Sequence, residues 1–233
     1  MSNNHILIIE DDLKIINFVS LALKAKGYRL SAATTGQDGI LLFCTENPDI
    51  IMLDLGLPDM DGVTVIEEIR KVSKIPILVV SAREQEEDKI SALDMGANDY
   101  VTKPFNMGEL LARVRVMERF IVHENATEPI DVYRFDGLTI DLQRHRVFLG
   151  DDEVHLTPLE YKLLTFLAVN YGKVITHHQI TKEVWGYSET GDTKSIRVCM
   201  TSLRRKIEAD TSHPKFIFTE IGIGYRFMDS RIT

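Results

Sequence analysis

Cysteine is scarce in this sequence. Cys44 and Cys199 are the two present, and they fall in different halves of the chain, so no disulfide framework is implied. Long apolar runs are also missing: none approaches the roughly 18 residues of a membrane span, which argues against a membrane partner. Basic residues are not in excess, since 27 Lys and Arg stand against 35 Asp and Glu, a net charge of −8. Such a balance speaks against general affinity for nucleic acid, although a local basic stripe can suffice. The opening Met-Ser-Asn-Asn-His carries neither a charged leader nor an apolar stretch, so the expectation is a cytoplasmic protein.

The 233 residues, 44% of them hydrophobic, are enough for two modest domains, each with its own core. One local stripe departs from the acidic average: residues 194–215 hold six basic and two acidic side chains.

The stretch Asp49-Ile-Ile-Met-Leu-Asp54 reads as a short buried strand, bounded by Pro48, Gly56 and Pro58. A near-continuous apolar run suits a parallel strand covered on both faces. Further strands are expected at 6–10, 28–33, 76–81 and 98–102, alternating with helices at about 12–26, 39–46, 63–72, 85–95 and 107–120. Five such units predict an α/β doubly wound, five-stranded parallel sheet with right-handed crossovers. In that architecture chemistry gathers at the carboxyl ends of strands. Those ends carry Glu10, Asp11 and Asp12, then Asp54, then Ser81, then Lys103.

Each of these residues alone has an ordinary explanation. The first three suit a helix N-terminus, Ser81 a turn cap, and Lys103 a solvated surface. Together, carboxylates converging with one lysine and one hydroxyl are costly unless a hard cation neutralises them. Mg²⁺ fits, because it takes oxygen ligands and needs few carboxylates. Asp54 then becomes a carboxylate nucleophile toward a phosphoryl group, with Lys103 and Ser81 to stabilise charge.

The words Ile-Glu-Asp-Asp, Leu-Asp54-Leu-Gly-Leu-Pro-Asp, Val-Ser81-Ala and Tyr-Val-Thr-Lys103-Pro-Phe together resemble the receiver domain of two-component response regulators, a flavodoxin-like fold. The resemblance covers residues 5–120. It implies Asp54 as phosphoacceptor from a sensor histidine kinase, Asp11 as a direct Mg²⁺ ligand, Glu10 acting largely through water, and the Gly56 carbonyl as a further ligand. It implies that Ser81 bonds the phosphoryl oxygens and that Lys103, ahead of a cis proline, pairs with the phosphate. Tyr100 matches the switch aromatic that turns inward when Ser81 engages phosphate. The rival reading is an enzyme, an aspartyl-nucleophile phosphatase resembling the haloacid dehalogenase group. That chemistry needs a second Asp two residues after the nucleophile, where this chain has Gly56. The expectation is therefore a regulator and not an enzyme.

From residue 121 the periodicity stops in a polar stretch with Pro129, giving a receiver at 1–121, a linker at 122–130 and a second domain at 131–233. Residues 133–156 alternate as short antiparallel strands. Thr157-Pro-Leu-Glu160 and Thr176-His-His-Gln179 are capping boxes. The first opens a helix carrying Leu159, Leu163, Leu164, Phe166 and Leu167 toward a core. A third helix, 194–208, has the apolar stripe Ile196, Met200, Leu203 and Ile207, with Lys194, Arg197, Thr201 and Arg204 on another face. Helix-turn-helix plus a β-hairpin predicts a winged helix-turn-helix α+β domain. Its expected DNA contacts are those four residues with Arg205, and Thr219 in the hairpin; the ordinary alternative is a solvated helix face.

Leu-Thr-Pro-Leu-Glu-Tyr-Lys-Leu-Leu, Val-Trp-Gly and Gly-Ile-Gly-Tyr-Arg-Phe resemble the winged-helix effector domain of OmpR/PhoB regulators. The wording is most similar to the branch that controls a potassium-transport operon. The family implies promoter DNA, RNA polymerase (through the loop after Trp185) and a phosphorylation-dependent homodimer as partners. Two departures stand out. Ile221 lies where many members place a wing arginine, and Asn98 where many have Asp, weakening one ion pair expected across the dimer. Lys89, Asp99, Glu109 and Arg113 remain for two reciprocal pairs, Lys89 with Glu109 and Asp99 with Arg113. His177 and His178 read as surface residues, Trp185 as core, and Cys199 as buried rather than reactive.

Overall fold

A computed structural model describes residues 4–124, 131–186 and 193–228. The chain forms two compact units, residues 1–126 and 127–233.

In the first unit β1 (His5–Ile9), α1 (Leu13–Ala25), β2 (Arg29–Ala33), α2 (Gly36–Glu46) and β3 (Ile50–Leu53) lead into α3 (Gly62–Arg70). The series continues through β4 (Ile77–Ser81), α4 (Glu86–Asp94), β5 (Asp99–Thr102) and α5 (Met107–Glu124). The strands pair in parallel, in the order β2-β1-β3-β4-β5. All residues of β1, β3 and β4 are buried, as expected for strands with helices on both faces. Edge strand β2 is largely exposed or half-buried instead. The expected doubly wound sheet is therefore present, and the ends of β1, β3, β4 and β5 lie side by side.

Element boundaries moved at two places for identifiable reasons. Helix α2 begins about a turn earlier than periodicity predicts. Thr35 caps the Asp38 amide at 3.1 Å, while Asp59, from the loop after β3, accepts from Gly36 and Gln37 at 2.8 and 2.9 Å. Those first-turn amides would otherwise be orphaned. Helix α5 runs to Glu124, into the stretch expected as linker, because no Gly or Pro stops it there. The rest of that linker, 125–130, lies outside the described residues.

The second unit opens with β6 (Val132–Arg134), β7 (Leu138–Asp141), β8 (Arg146–Leu149) and β9 (Asp152–Glu153), an antiparallel sheet in sequence order. Then come α6 (Pro158–Val169), β10 (Val174–Thr176), α7 (His177–Ile180) with a π-helical continuation over Thr181–Trp185, and α8 (Thr193–Ile207). The hairpin β11 (Ile217–Glu220) and β12 (Gly224–Phe227) follows, and β12 also pairs with β10. This is the expected winged helix-turn-helix.

Both capping boxes are made. The core joins Leu163, Leu164 and Leu167 of α6 to Ile196, Met200, Leu203 and Ile207 of α8, with Phe216, Ile217 and Phe227. Cys199 is buried there too, its thiol pushed up to about 11 by burial first and by Glu160 second. Leu159 does not join this core: in the first turn of α6 it is 37% exposed. Trp185 is only partly buried against the core.

Glu160 links the capping box to α8. Its buried carboxylate accepts from the Thr157 amide, the Ser202 hydroxyl at 2.6 Å and the Lys206 ammonium at 2.7 Å. Burial alone raises such a carboxyl, yet Lys206, Ser202 and Thr157 together hold it down to about 2 from 4.5. A carboxyl depressed on folding contributes stability above its unfolded value and loses it as pH falls through the folded one. The second unit should therefore weaken between about pH 4.5 and about pH 2. Glu160→Gln should flatten that dependence and cost roughly 2–3 kcal/mol at neutral pH. Trp185 fluorescence during urea unfolding across this pH range is the check, and an unchanged profile in Glu160→Gln would refute it.

Candidate phosphoacceptor site and DNA-facing surface

Asp54 follows the last residue of β3 and is buried. The chain can turn tightly beyond it because Gly62 opens α3. A side chain there would press on the Asp54 carbonyl at 2.5 Å and the Leu55 Cα at 2.6 Å. Gly56, in the same turn, gives its amide to Asp54 Oδ1 at 3.2 Å.

Lys103, past the end of β5 and before a cis peptide to Pro104, reaches back into the site. Its Nζ lies 2.6 Å from Asp54 Oδ2 and 2.6 Å from Glu10 Oε2. One carboxyl oxygen from each of Glu10, Asp11 and Asp54 falls within 4.8 Å of the others. Three carboxylates against one ammonium leave two negative charges uncompensated, which is the deficit a divalent cation fills. Asp11 is exposed, so the cluster is open to solvent on that side. Asp12 is not part of it; it caps α1 through the Lys14 amide at 2.7 Å.

The two buried carboxyls are pushed apart. Burial raises Glu10, and Lys103 only partly offsets this. Burial also acts upward on Asp54, but Lys103, the Gly56 amide and the Ser81 hydroxyl hold it below the ordinary carboxylate range. Lys103 rises despite burial, because Asp54 and Glu10 both favour its charge. Of the two buried carboxyls Asp54 is thus the one held more firmly ionised, as a carboxylate nucleophile requires.

Ser81 is 1% exposed at the end of β4. Arg83, two residues on, was not foreseen. Its guanidinium donates to the Leu55 carbonyl at 3.2 Å and to Asp61 at 2.7 Å, tying the loop after β4 to the loop after β3. The sequence signal was only its closeness to Ser81. Tyr100 is already turned in: it is 8% exposed and donates its hydroxyl to the Arg83 carbonyl at 2.8 Å. Its inward position thus accompanies this arrangement of the Ser81–Arg83 loop.

The residues expected on the dimer face make contacts within their own chain in this structure. Asp99 is 1% exposed and binds Arg113 of its own chain, with both carboxyl oxygens at 2.8–2.9 Å from Nη1. Arg113 also holds Glu109 at 2.8 Å, and Lys89 lies 6.0 Å from the centre of the Tyr100 ring. Asn98 is buried, and its amide oxygen accepts from Arg70 and from the Ile77 amide. It is an internal joint between β4 and α3.

In the second unit the stripe of α8 is buried as expected. Lys194, Arg197, Thr201 and Arg205 are exposed. Arg204 is half-buried and turned to the wing. One Nη2 donates to the Ile217 carbonyl at 2.7 Å and the Thr219 hydroxyl at 2.8 Å, and the guanidinium lies 5.5 Å from the centre of the Tyr225 ring. Burial lowers its pKa. Arg204 and Thr219 therefore fasten the helix to the wing. His177 is half-buried with its ring edge-on to Tyr225, which corrects the surface reading; burial first and Arg197 second hold its pKa below the usual value. Ile221 is 86% exposed on the wing. Of the loop expected to touch polymerase, 186–192, all but Gly186 lies outside the described residues.

A parallel sheet gathering an acidic cluster, a lysine and a hydroxyl, followed by a winged helix, defines a response regulator. Residues 6–115 match the family described as response regulator receiver domain, and residues 151–227 match transcriptional regulatory protein, C terminal. The chain belongs to the OmpR/PhoB family of response regulators. It is 46% identical over 224 residues to the KDP operon transcriptional regulatory protein KdpE of Escherichia coli strain K12, covering 96% of this chain and 99% of that protein. It is 43% identical over 224 residues to the transcriptional regulatory protein KdpE of Staphylococcus aureus strain NCTC 8325, covering 96% of each. A solved structure of a RitR mutant superposes with a TM-score of 0.51 at 25% identity, covering 97% of this chain and all of that one. The chain is thus a phosphorylation-regulated transcription factor with a cognate sensor kinase and promoter DNA as partners. Among the described residues no helix is long and apolar enough to cross a membrane.

Proposed function

We propose that Asp54 takes a phosphoryl group from a sensor histidine kinase and that the modified chain binds, as a dimer, promoter DNA of potassium-transport genes in the cytoplasm. The observation that carries this is the convergence of the Glu10, Asp11 and Asp54 oxygens with Lys103 on the two buried ones. An Asp54 oxygen attacks phosphorus, the bond from phosphorus to the kinase imidazole breaks, and its electron pair stays on the imidazole nitrogen. Lys103 moves from Asp54 to the new phosphoryl oxygens, and Ser81 donates its hydroxyl to another. Glu10, Asp11, Asp54 and the Gly56 carbonyl would hold Mg²⁺, which neutralises the developing phosphoryl charge. The chain acts once per phosphoryl group as a switch, not as an enzyme turning over an external substrate. RNA polymerase is the partner that reads the bound dimer.

The operon assignment rests on the two similar proteins named KdpE. Capture of genomic fragments with and without a small-molecule phosphodonor tests it. Fragments upstream of potassium-transport genes should be enriched by the phosphorylated wild type and not by Asp54→Ala. Equal enrichment by both would reject phosphate control.

Dimerisation through α4, β5 and α5 has to compete with the bonds that Arg113 already makes to Asp99 and Glu109 in its own chain. Exposed pairs contribute roughly 0–1 kcal/mol each, so they set register more than affinity. The dimer should be weak without phosphate and salt-sensitive with it. Sedimentation of Arg113→Glu with a phosphoryl mimic should show a weakened dimer; an undiminished dimer would assign association to another face.

A further inference from the structure

The loop after β4 is thinly held. Of residues 82–87 only Arg83 is not exposed, and Gln85, the N-cap of α4, makes no side-chain cap hydrogen bond. Helix α4 buries Ala92 and Leu93, both in its later half. Arg83 supplies the anchor that the loop lacks. Its Nη2 donates to the Leu55 carbonyl at 3.2 Å and to Asp61 Oδ2 at 2.7 Å, and Nη1 lies 3.8 Å from Asp88 Oδ1 on α4. The other oxygen of Asp61 caps α3 through the Val63 amide at 2.9 Å. The Leu55 carbonyl, one residue past Asp54, also accepts from the Gly62 amide at 3.0 Å. The guanidinium thus grips a loop that is itself fixed.

The main chain of the same residue holds the inward aromatic ring. Tyr100 donates its hydroxyl to the Arg83 carbonyl at 2.8 Å, and the Arg83 amide lies 3.4 Å from Ser81 Oγ. Tyr100 stays inward only while its acceptor carbonyl stays in place. A buried hydroxyl whose acceptor swings away is left unsatisfied at a cost, so the ring turns out when the loop does. A single exposed ion pair would contribute little. Here one guanidinium joins a main-chain carbonyl and two carboxylates, and members of such a network reinforce one another.

We propose that Arg83 is a positioning residue whose guanidinium latches the loop after β4 to the loop beside Asp54, and so holds Tyr100 inward before any phosphoryl group arrives. The proposal rests on the phosphoacceptor reading above and deepens it. Latch and phosphate act on one element, because Ser81 drawn to a phosphoryl oxygen fixes the same loop from its other end. The latch therefore sets how far the ring is biased inward without phosphate. An inward ring does not by itself make the dimer, since Arg113 is held by Asp99 and Glu109 of its own chain.

The test uses the full-length chain with its seven tyrosines replaced by 3-fluorotyrosine, the Tyr100 signal being assigned by its loss in Tyr100→Phe. A neutral gadolinium chelate in solution reports exposure of each ring through fluorine relaxation. Wild-type Tyr100 should be protected both with and without beryllium fluoride and Mg²⁺. In Arg83→Ala without beryllium fluoride the relaxation enhancement should rise roughly two- to fivefold, the range that such a latch can hold. Beryllium fluoride should return it to the wild-type rate. Asp61→Asn keeps the α3 cap but loses the charge; it should rise partway and add nothing to Arg83→Ala in the double variant. Tyr28, the other tyrosine of the first unit and also buried, should keep its wild-type rate throughout. A rise at Tyr28 as large as at Tyr100 would mean general loosening and overturn the proposal. So would a Tyr100 rate in Arg83→Ala equal to that of the wild type. If beryllium fluoride leaves the variant's Tyr100 exposed although wild-type Asp54 takes up a phosphoryl group, latch and phosphate act on different elements and the proposal falls. The arm without beryllium fluoride does not depend on Asp54. A wild type that gains no phosphoryl mass therefore rejects the phosphoacceptor reading and leaves that arm to decide the latch.

Discussion

With Asp54→Ala, a small-molecule phosphodonor should leave the intact mass unchanged, whereas the wild type gains a phosphoryl group only when Mg²⁺ is present. The geometry gives both halves of this expectation. Asp54 is the carboxylate held ionised by Lys103 and the Gly56 amide, so its oxygen has the free pair that attack requires. Glu10, raised by burial and bonded to the same ammonium, is a poorer substitute even though it lies beside Asp54. Without a divalent ion the pocket keeps an excess of negative charge, and an incoming phosphoryl dianion meets it at a few ångströms. At an effective dielectric near 20 each such like-charge pair costs about 4 kcal/mol, enough to slow transfer by orders of magnitude. Mass analysis with Mg²⁺, with chelator, and on Asp54→Ala decides it. Comparable labelling of the Ala variant, or of wild type in chelator, would remove Asp54 or the cation from the reaction.

Strand ends were legible in the sequence for a topological reason. Once five apolar runs alternate with amphipathic helices, right-handed crossovers leave few alternatives, and Glu10, Asp54, Ser81 and Lys103 are delivered to one edge. Pairings that depend on rotamers were not legible. Spacing of three and four put Arg204 with Arg197 and Thr201. Whether that arginine turns to the groove or to the wing depends on the Ile217 carbonyl thirteen residues away, which no local pattern reveals. The inward turn of Asn98 was not legible either, since it is set by the Ile77 amide and by Arg70 on α3. Asp99 and Arg113 were expected across a two-fold axis; in this structure Arg113 reaches from α5 to Asp99 on β5 of the same chain.

The largest stability effect is expected from Glu208, just beyond α8. Its buried carboxylate accepts from the amides of Lys215 at 2.6 Å, Phe216 at 3.0 Å and Ile217 at 2.9 Å. It thus closes the loop from the helix to the first wing strand and satisfies three donors at once. Phe216 and Ile217 are buried, so Glu208→Ala leaves amides that water cannot easily reach. At 1–3 kcal/mol for each unsatisfied group, the loss should be roughly 3–5 kcal/mol. For a unit of this size that lowers the melting midpoint by more than about 12 °C. Trp185 is the sole tryptophan and packs against the second core, so its fluorescence reports that unit by itself. Glu208→Gln, which keeps one acceptor oxygen, should fall between the two. Because Arg204 grips the same strand at Ile217 and Thr219, loosening this loop also frees the wing from the helix. Glu208→Gln, still folded, should therefore lose specific DNA affinity while taking up phosphate at Asp54 as the wild type does. A Glu208→Ala midpoint within a few degrees of wild type would mean that solvent, not this carboxylate, satisfies those amides.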